Sequence, residues 1–244
     1  MNFNNIRIVL IHTTHPGNIG AVARAMKNMC LSRLYLVNPR EFPSSEATAR
    51  ASGADDVLAN AVVCDSLDQA LEGCATVYGT SARLRTIRWP QSDPRQAAEQ
   101  VAVESEQSQV AILFGREHSG LTNEELERCH YLLNIPANSE YSSLNIAAAC
   151  QVVCYELMMA SSLSGGETSQ EPEDELATAD EVEGFHQHLE ETLIKLEYLD
   201  PENPRQLTRR LRRLYHKARL EKMEINILRG ILKATQKWIG KCSG

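Results

Sequence analysis

The chain has 244 residues, 43% hydrophobic and 23% charged, a composition that suits a globular protein with a substantial core and excludes a disordered one. No apolar run reaches the roughly 20 residues needed to cross a bilayer, and the N-terminal run is too short for a secretory signal, so a cytoplasmic protein without membrane contact is expected. A net charge of −7 would argue against a polyanionic partner if it were evenly spread, but ten acids and no Lys or Arg lie from Glu167 to Glu191, while Arg205 to Lys222 holds eight bases and one acid.

In chain order, IRIVLI, LYLV, AVVC, ATVYGT, VAILFG and YLLNIP are short runs rich in Val, Ile and Leu, the pattern of buried strands. Between them, NIGAVARAMKNM, SSEATARASGADDVL, SLDQALEG, DPRQAAEQVAVE and LTNEELERC have helical spacing. Ser66 and Thr122 are expected N-caps, the latter with Glu125 completing a capping box. YSSLNIAAACQVVCYELMMA reads as one long helix. Strands alternating with helices imply an α/β fold, a mainly parallel sheet with helices on both faces.

After this helix, SSLSGGETSQEPEDELATAD is small, polar and acidic and reads as a linker. Beyond it no strand signal remains, and helices are expected near 181–199, near 204–219 opened by Pro204, and near 223–238. The expected organisation is therefore a domain over 1–164, an acidic linker over 165–180 and a small all-α extension over 181–244. The seven cysteines are odd in number and sit mostly in apolar periodic segments, which points to buried free thiols rather than disulfides or a metal site.

Three stretches carry candidate chemistry. In HTTHPGNIGAVARAMKNM a strand, a turn and a helix follow one another, and Gly17, Gly20 and Arg24 share a helical stripe on which two residues without side chains would clear a way to the guanidinium. The plainer alternative is a solvated arginine and two turn glycines. His12 and His15 lack the further ligands a metal needs. GREHSG has the GxxxxG spacing of a phosphate loop, but Leu121 stands where that loop needs lysine, so a nucleotide triphosphatase is excluded. What remains there is a loop offering main-chain N–H groups with Arg116, Glu117 and His118, or a charged surface turn. NIPANSEYSSLNIAAAC places Ser142 and Ser143 before a helix, as ligand-binding hydroxyls or as an N-cap.

Two arginine groups complete the set. Arg83, Arg85 and Arg88 follow a strand at its carboxyl edge, and Arg209, Arg210, Arg212, Arg213 and Arg219 crowd one helix with Tyr215 and His216. Four arginines within five residues favour a nucleic-acid backbone over a merely solvated helix face.

Taken in order, HPGNIGAVARAM, LFGREHSGLTNEEL and IPANSEYSSLNIAAA resemble the three motifs of the SPOUT superfamily of RNA methyltransferases, in its TrmH (SpoU) branch, over residues 5–160. GTSAR, YSSLN and a C-terminal extension with LRRLYHKAR and EINILRGIL resemble, within that branch, the group that methylates cytidine or uridine at nucleotide 32 of the tRNA anticodon loop. The resemblance implies a trefoil knot closing the α/β domain, a homodimer, tRNA as partner, S-adenosylmethionine as cofactor and no metal. By motif position it implies a cofactor pocket of Thr80, Ser81, Gly115, Arg116, Glu117, Ile135, Ser143, Leu144 and Asn145. It makes Arg24 the catalytic arginine, with Asn18, Glu117 and Ser143 as its companions. Arg83, Arg85, Arg88 and Arg116 would meet phosphates near the target nucleotide, and the C-terminal arginines the body of the tRNA. Two alternatives stay open: a ribosomal RNA or tRNA guanosine 2′-O-methyltransferase of the same branch, and a non-catalytic RNA-binding relative.

Overall fold

The computed structural model describes residues 1–81, 90–163, 175–204 and 206–242. The chain divides into two units, Met1–Ser169 and Gln170–Gly244.

In the first unit the elements run β1 (Ile6–Ile11), α1 (Pro16–Asn28), β2 (Arg33–Val37), α2 (Ser45–Ala51), α3 (Asp55–Ala59), β3 (Val62–Cys64) and α4 (Leu67–Leu71). They continue through β4 (Cys74–Thr80), β5 (Gln91–Ser92), α5 (Pro94–Gln107), β6 (Gln109–Phe114), α6 (Asn123–Leu126), β7 (Tyr131–Leu133) and α7 (Ile146–Leu163). The strands form one seven-stranded sheet in the order β3-β2-β1-β6-β4-β7-β5, and every adjacent pair is parallel.

All six apolar runs are strands, and both faces of the sheet are covered. Ile6, Ile8 and Leu10 of β1, Leu34 and Leu36 of β2, Ile112 and Phe114 of β6 and Leu133 of β7 share a core with α1, α5 and α7. The intervening residues Val9 and Ile11 are buried on the opposite face, so β1 is buried along its whole length. This continuous burial is what a parallel sheet requires and why its strands read as unbroken apolar runs.

Sequence and structure differ at three elements. β5 is polar and two residues long, and is held on β7 by Leu132 N–H donating to Pro90 O at 2.9 Å and Asn134 N–H to Ser92 O at 2.9 Å. The single helix expected over SSEATARASGADDVL is two, α2 and α3, broken where Ser52 and Gly53 take φ of 48° and 92°. The long helix starts at Ile146, after Asn145 rather than either serine, and the Asn145 Oδ1 accepts the Ala147 N–H at 2.9 Å. Ser66 and Thr122 cap their helices as expected, Thr122 in a full capping box with Glu125.

Gly20 is needed for a reason other than access to Arg24. A Cβ there would lie 2.0 Å from the carbonyl oxygen of Ala47, so α1 and α2 pack backbone to backbone at this point. Gly20→Ala gains helix propensity of about 1 kcal/mol but forces the helices apart, and overpacking costs about 1–3 kcal/mol or more. A net fall in thermal midpoint of several degrees is expected, and an unchanged or raised midpoint by calorimetry would contradict this packing.

The second unit contains α8 (Ala179–Lys195), α9 (Leu207–Ala218) and α10 (Lys222–Cys242). Val182, Phe185 and Leu189 of α8 pack with Leu211 and Tyr215 of α9 and Ile225, Leu228 and Leu232 of α10, and the Phe185 and Tyr215 rings meet edge to face at 4.7 Å. Thr178 and Glu181 form a capping box at the start of α8. Helix α9 begins three residues beyond Pro204, at Leu207. Most of the acidic linker lies outside the described residues.

Candidate functional site

β1, β4, β6 and β7 are parallel, so the segments that leave their carboxyl ends gather at one edge of the sheet, where open α/β folds bind ligands. An open cleft there is lined by Thr80 at the end of β4 and Ser81 after it, Phe114 at the end of β6 and Gly115 to Leu121 after it, Ile135 and Ser142 to Leu144 after β7, and Ile146 and Ala149 of α7. It therefore brings together eight of the nine predicted cofactor residues; Asn145 lies next to it in sequence.

The GREHSG loop is closed on itself. Arg116 N–H donates to Gly120 O at 3.2 Å and Gly120 N–H to Arg116 O at 2.9 Å. A Cβ on Gly115 would stand 2.2 Å from the Gly120 carbonyl carbon and 2.3 Å from Leu121 N, and Gly120 has φ of 68°. Gly115 thus admits the loop's own returning backbone, and the GxxxxG spacing belongs to that closure.

Glu117 joins two of the motifs directly. Its carboxylate accepts Thr14 N–H at 3.1 Å, Thr14 Oγ1–H at 3.0 Å, His15 N–H at 3.2 Å and Asn18 Nδ2–H at 3.0 Å. Asn145 Nδ2–H then donates to Asn18 Oδ1 at 3.1 Å, which ties in the third motif. These donors surround the start of α1, whose N-cap His15 accepts Gly17 N–H through Nδ1 and whose first residue is Pro16. Burial pushes the Glu117 carboxyl up, but the hydrogen bonds from Asn18, its own N–H, Thr14 and His15 outweigh it and bring the pKa down to about 2. A carboxylate so thoroughly engaged is a clamp and a poor proton acceptor at neutral pH.

Thr80 and Ser81 are held by main-chain partners: Thr80 Oγ1–H donates to Leu113 O at 2.8 Å and Ser81 N–H to Leu133 O at 3.0 Å. Ser143, Leu144 and Asn145 are exposed, and the exposed Leu144 with half-buried Ile135 gives the cleft an apolar wall beside its hydroxyls and main-chain groups. Such a mixture suits a nucleoside-sized ligand with one flat apolar part and several polar ones. Arg116 does not point freely into the cleft, because its Nη1 binds Glu125 Oε2 at 3.0 Å.

Arg24 is exposed on α1 and does not line the cleft. Arg83, Arg85 and Arg88 lie outside the described residues. On α9, Arg212 is engaged by Glu183, with Nη1 and Nη2 at 2.5 and 2.8 Å from the carboxylate oxygens, and both side chains are largely buried. Arg209, Arg213 and Arg219 are half-buried, while Arg210 and Lys217 are exposed. Thr14 and His15 were missing from the sequence-based site; a polar pair before Pro at a helix start is the signal that identifies them as cap residues.

The model for the SpoU rRNA Methylase family matches residues 5–155, and that for the tRNA methyltransferase TrmJ, C-terminal domain, matches residues 180–243. The tRNA (cytidine/uridine-2'-O-)-methyltransferase TrmJ of Pectobacterium atrosepticum is 53% identical over 236 residues, covering 96% of this chain and 98% of that protein. The tRNA (cytidine/uridine/adenosine-2'-O-)-methyltransferase TrmJ of Pseudomonas aeruginosa is 53% identical over 243 residues, 96% of this chain and 95% of that one. The crystal structure of TrmJ from Z. mobilis superimposes with a TM-score of 0.84 at 35% identity, over 94% of this chain and 98% of the other.

Proposed function

We propose, from the premise that this chain belongs to the SpoU methylase family and is a TrmJ-type methyltransferase, that it methylates the ribose 2′-hydroxyl of cytidine or uridine at nucleotide 32 of the tRNA anticodon loop. The observation that carries the reading is the cleft lined by the second and third motifs, to which Glu117 and Asn145 tie the first, together with the near full-length similarity to tRNA 2′-O-methyltransferases. The cofactor would be S-adenosylmethionine, held against Leu144 and Ile135 and by polar groups of Thr80, Ser81 and the 115–117 and 142–145 segments. When bound, it supplies a methyl group on a sulfonium, open to in-line attack.

The protein's own part is to align the 2′-oxygen and manage its proton. Glu117, Asn18 and Asn145 fix the start of α1 against the two binding loops, so they act as positioning residues. Arg24 offers the substrate a planar guanidinium with five N–H donors. Its role is to orient the substrate and stabilise developing alkoxide charge, with a phosphate or water taking the proton.

A homodimer completes this picture. Val152, Tyr155 and Met159 leave an exposed apolar strip on α7, and Arg24, outside the cleft of its own chain, is available to the cleft of a second. The trefoil knot of the SPOUT superfamily is part of this proposal, and the strand order, with β6 between β1 and β4 and β7 between β4 and β5, supports it. A cytoplasmic setting follows from the tRNA substrate.

The test is mass-spectrometric mapping of 2′-O-methyl groups in tRNA from cells with and without the gene. Loss of methylation at cytidine or uridine 32 is expected; an unchanged nucleotide 32 with loss elsewhere in tRNA or in ribosomal RNA would replace this assignment.

A further inference from the structure

The segment that joins β7 to α7 carries a side chain that the cofactor cleft does not use. Asn138 closes a turn on itself, with Glu140 N–H donating to Asn138 Oδ1 at 3.0 Å and Tyr141 N–H to Asn138 O at 3.0 Å. Asn at the first position of such a turn fixes the backbone through its side chain. The turn delivers Tyr141 directly ahead of Ser142, and Ser142, Ser143 and Leu144 line the cleft while Tyr141 does not. Tyr141 is 79% exposed, the most exposed large hydrophobic side chain among the described residues.

A lone exposed ring is common on protein surfaces; what sets this one apart is where it is held and what surrounds it. From Cys129 to Leu163 the chain has no Lys or Arg, so this side of the site brings no cation to a phosphate, and Glu140 beside the ring repels one. A closed turn presents the ring already ordered, and tyrosine has only two χ angles to lose on binding. Next to a site where a ribose reacts, such a ring meets the neutral, flat part of the nucleotide, its base.

That base has to be held without being read closely. Cytosine and uracil present opposite groups at ring position 4, an amino donor and a carbonyl acceptor, so an enzyme that takes both gains little from a hydrogen bond there. Stacking is indifferent to the difference, because every base has a π-face. We propose that Tyr141 stacks on the base of the nucleotide whose ribose is methylated, and is the contact that holds cytidine and uridine alike. The inference rests on the reading that the substrate is a cytidine or uridine ribose of tRNA.

The test measures methyl transfer by the full-length protein to two tRNAs, one unmodified and one whose target nucleotide keeps its ribose but has hydrogen in place of the base. Tyr141→Ala should lower kcat/KM on unmodified tRNA about 10- to 100-fold, the range of one lost stacking contact, with S-adenosylmethionine affinity within about twofold of the parent. Tyr141→Phe keeps the ring and should stay within about threefold. On the tRNA without the base the parent protein should lose a similar factor, and Tyr141→Ala should cost less than about twofold more, because the contact is already gone.

A loss from Tyr141→Ala that is equal on both tRNAs would overturn the inference and make the ring a support of its loop. So would a large fall in cofactor affinity, which would give the ring to the cofactor, or a fall in oligomeric mass by light scattering, which would give it to a second copy of this chain. If the parent protein methylates no cytidine or uridine in tRNA, the substrate reading fails and this one with it.

Discussion

Arg24→Ala is expected to cut methyl transfer by about 100- to 1000-fold with S-adenosylmethionine affinity within about twofold of the parent, because the lost group stabilises charge that develops on the substrate. The guanidinium is assigned to the substrate oxygen and not to the cofactor, which is why cofactor binding should survive. Arg24→Lys separates two roles. A retained point charge without the planar fork should recover only a small part of the loss. Turnover near the parent level in the lysine variant would exclude a specific need for the guanidinium, and a large fall in cofactor affinity in the alanine variant would move Arg24 into the binding site.

Glu117→Ala is expected to be nearly as damaging through geometry. It removes the acceptor of Thr14, His15 and Asn18 at once, and a misplacement of about 1 Å at a methyl-transfer site can cost on the order of 100-fold. Cofactor affinity should fall together with turnover, unlike the Arg24 case. Single-turnover kinetics with isothermal titration distinguishes the two patterns, and a Glu117 variant with intact cofactor affinity would show that the clamp does not shape the cleft.

The same clamp has a pH signature. The folded pKa of Glu117 is lowered to about 2 from an ordinary value of 4.5, so its stabilisation is fully present above about pH 4.5 and is lost as pH falls toward 2. With the carboxylate partly solvated, the contribution is on the order of 1–2 kcal/mol. Glu117→Gln should therefore be less stable at pH 7, and the gap between it and the parent should close as pH falls through that window. A gap that persists at pH 2 would locate the effect elsewhere.

Much of the scaffold was legible because burial on both faces leaves a chemical trace. The runs of β1, β2, β4, β6 and β7 are strands since nothing else hides Val, Ile and Leu so continuously, while β3, at the sheet edge, leaves Val62 and Val63 exposed. β5 left no trace, because Gln91 and Ser92 pair through main-chain groups that any residue has. The motif residues were legible as a group, but their individual jobs were not. Gly115 answers to Gly120 in its own loop, and Glu117 meets Thr14 across 103 positions of sequence. The spacing of the glycines could be read but not what it closes, and the contact of Glu117 with Thr14 leaves no trace in local spacing. Counting arginines also overstated the free charge on α9, since Arg212 is engaged by Glu183 of α8, a pairing across 29 positions that local spacing does not show.

The strand order also dictates when the fold can form. β6 sits between β1 and β4, and β7 between β4 and β5, so two strands made late must enter between strands made earlier. A nascent chain that has passed Thr80 holds β1 and β4 with no strand to join them, because β6 does not begin until Gln109. Such long-range pairing slows folding and prolongs the exposure of apolar edges. Consolidation of the sheet must therefore wait until Leu133 has left the ribosome, which makes the first half of synthesis the interval in which this protein most needs protection from aggregation.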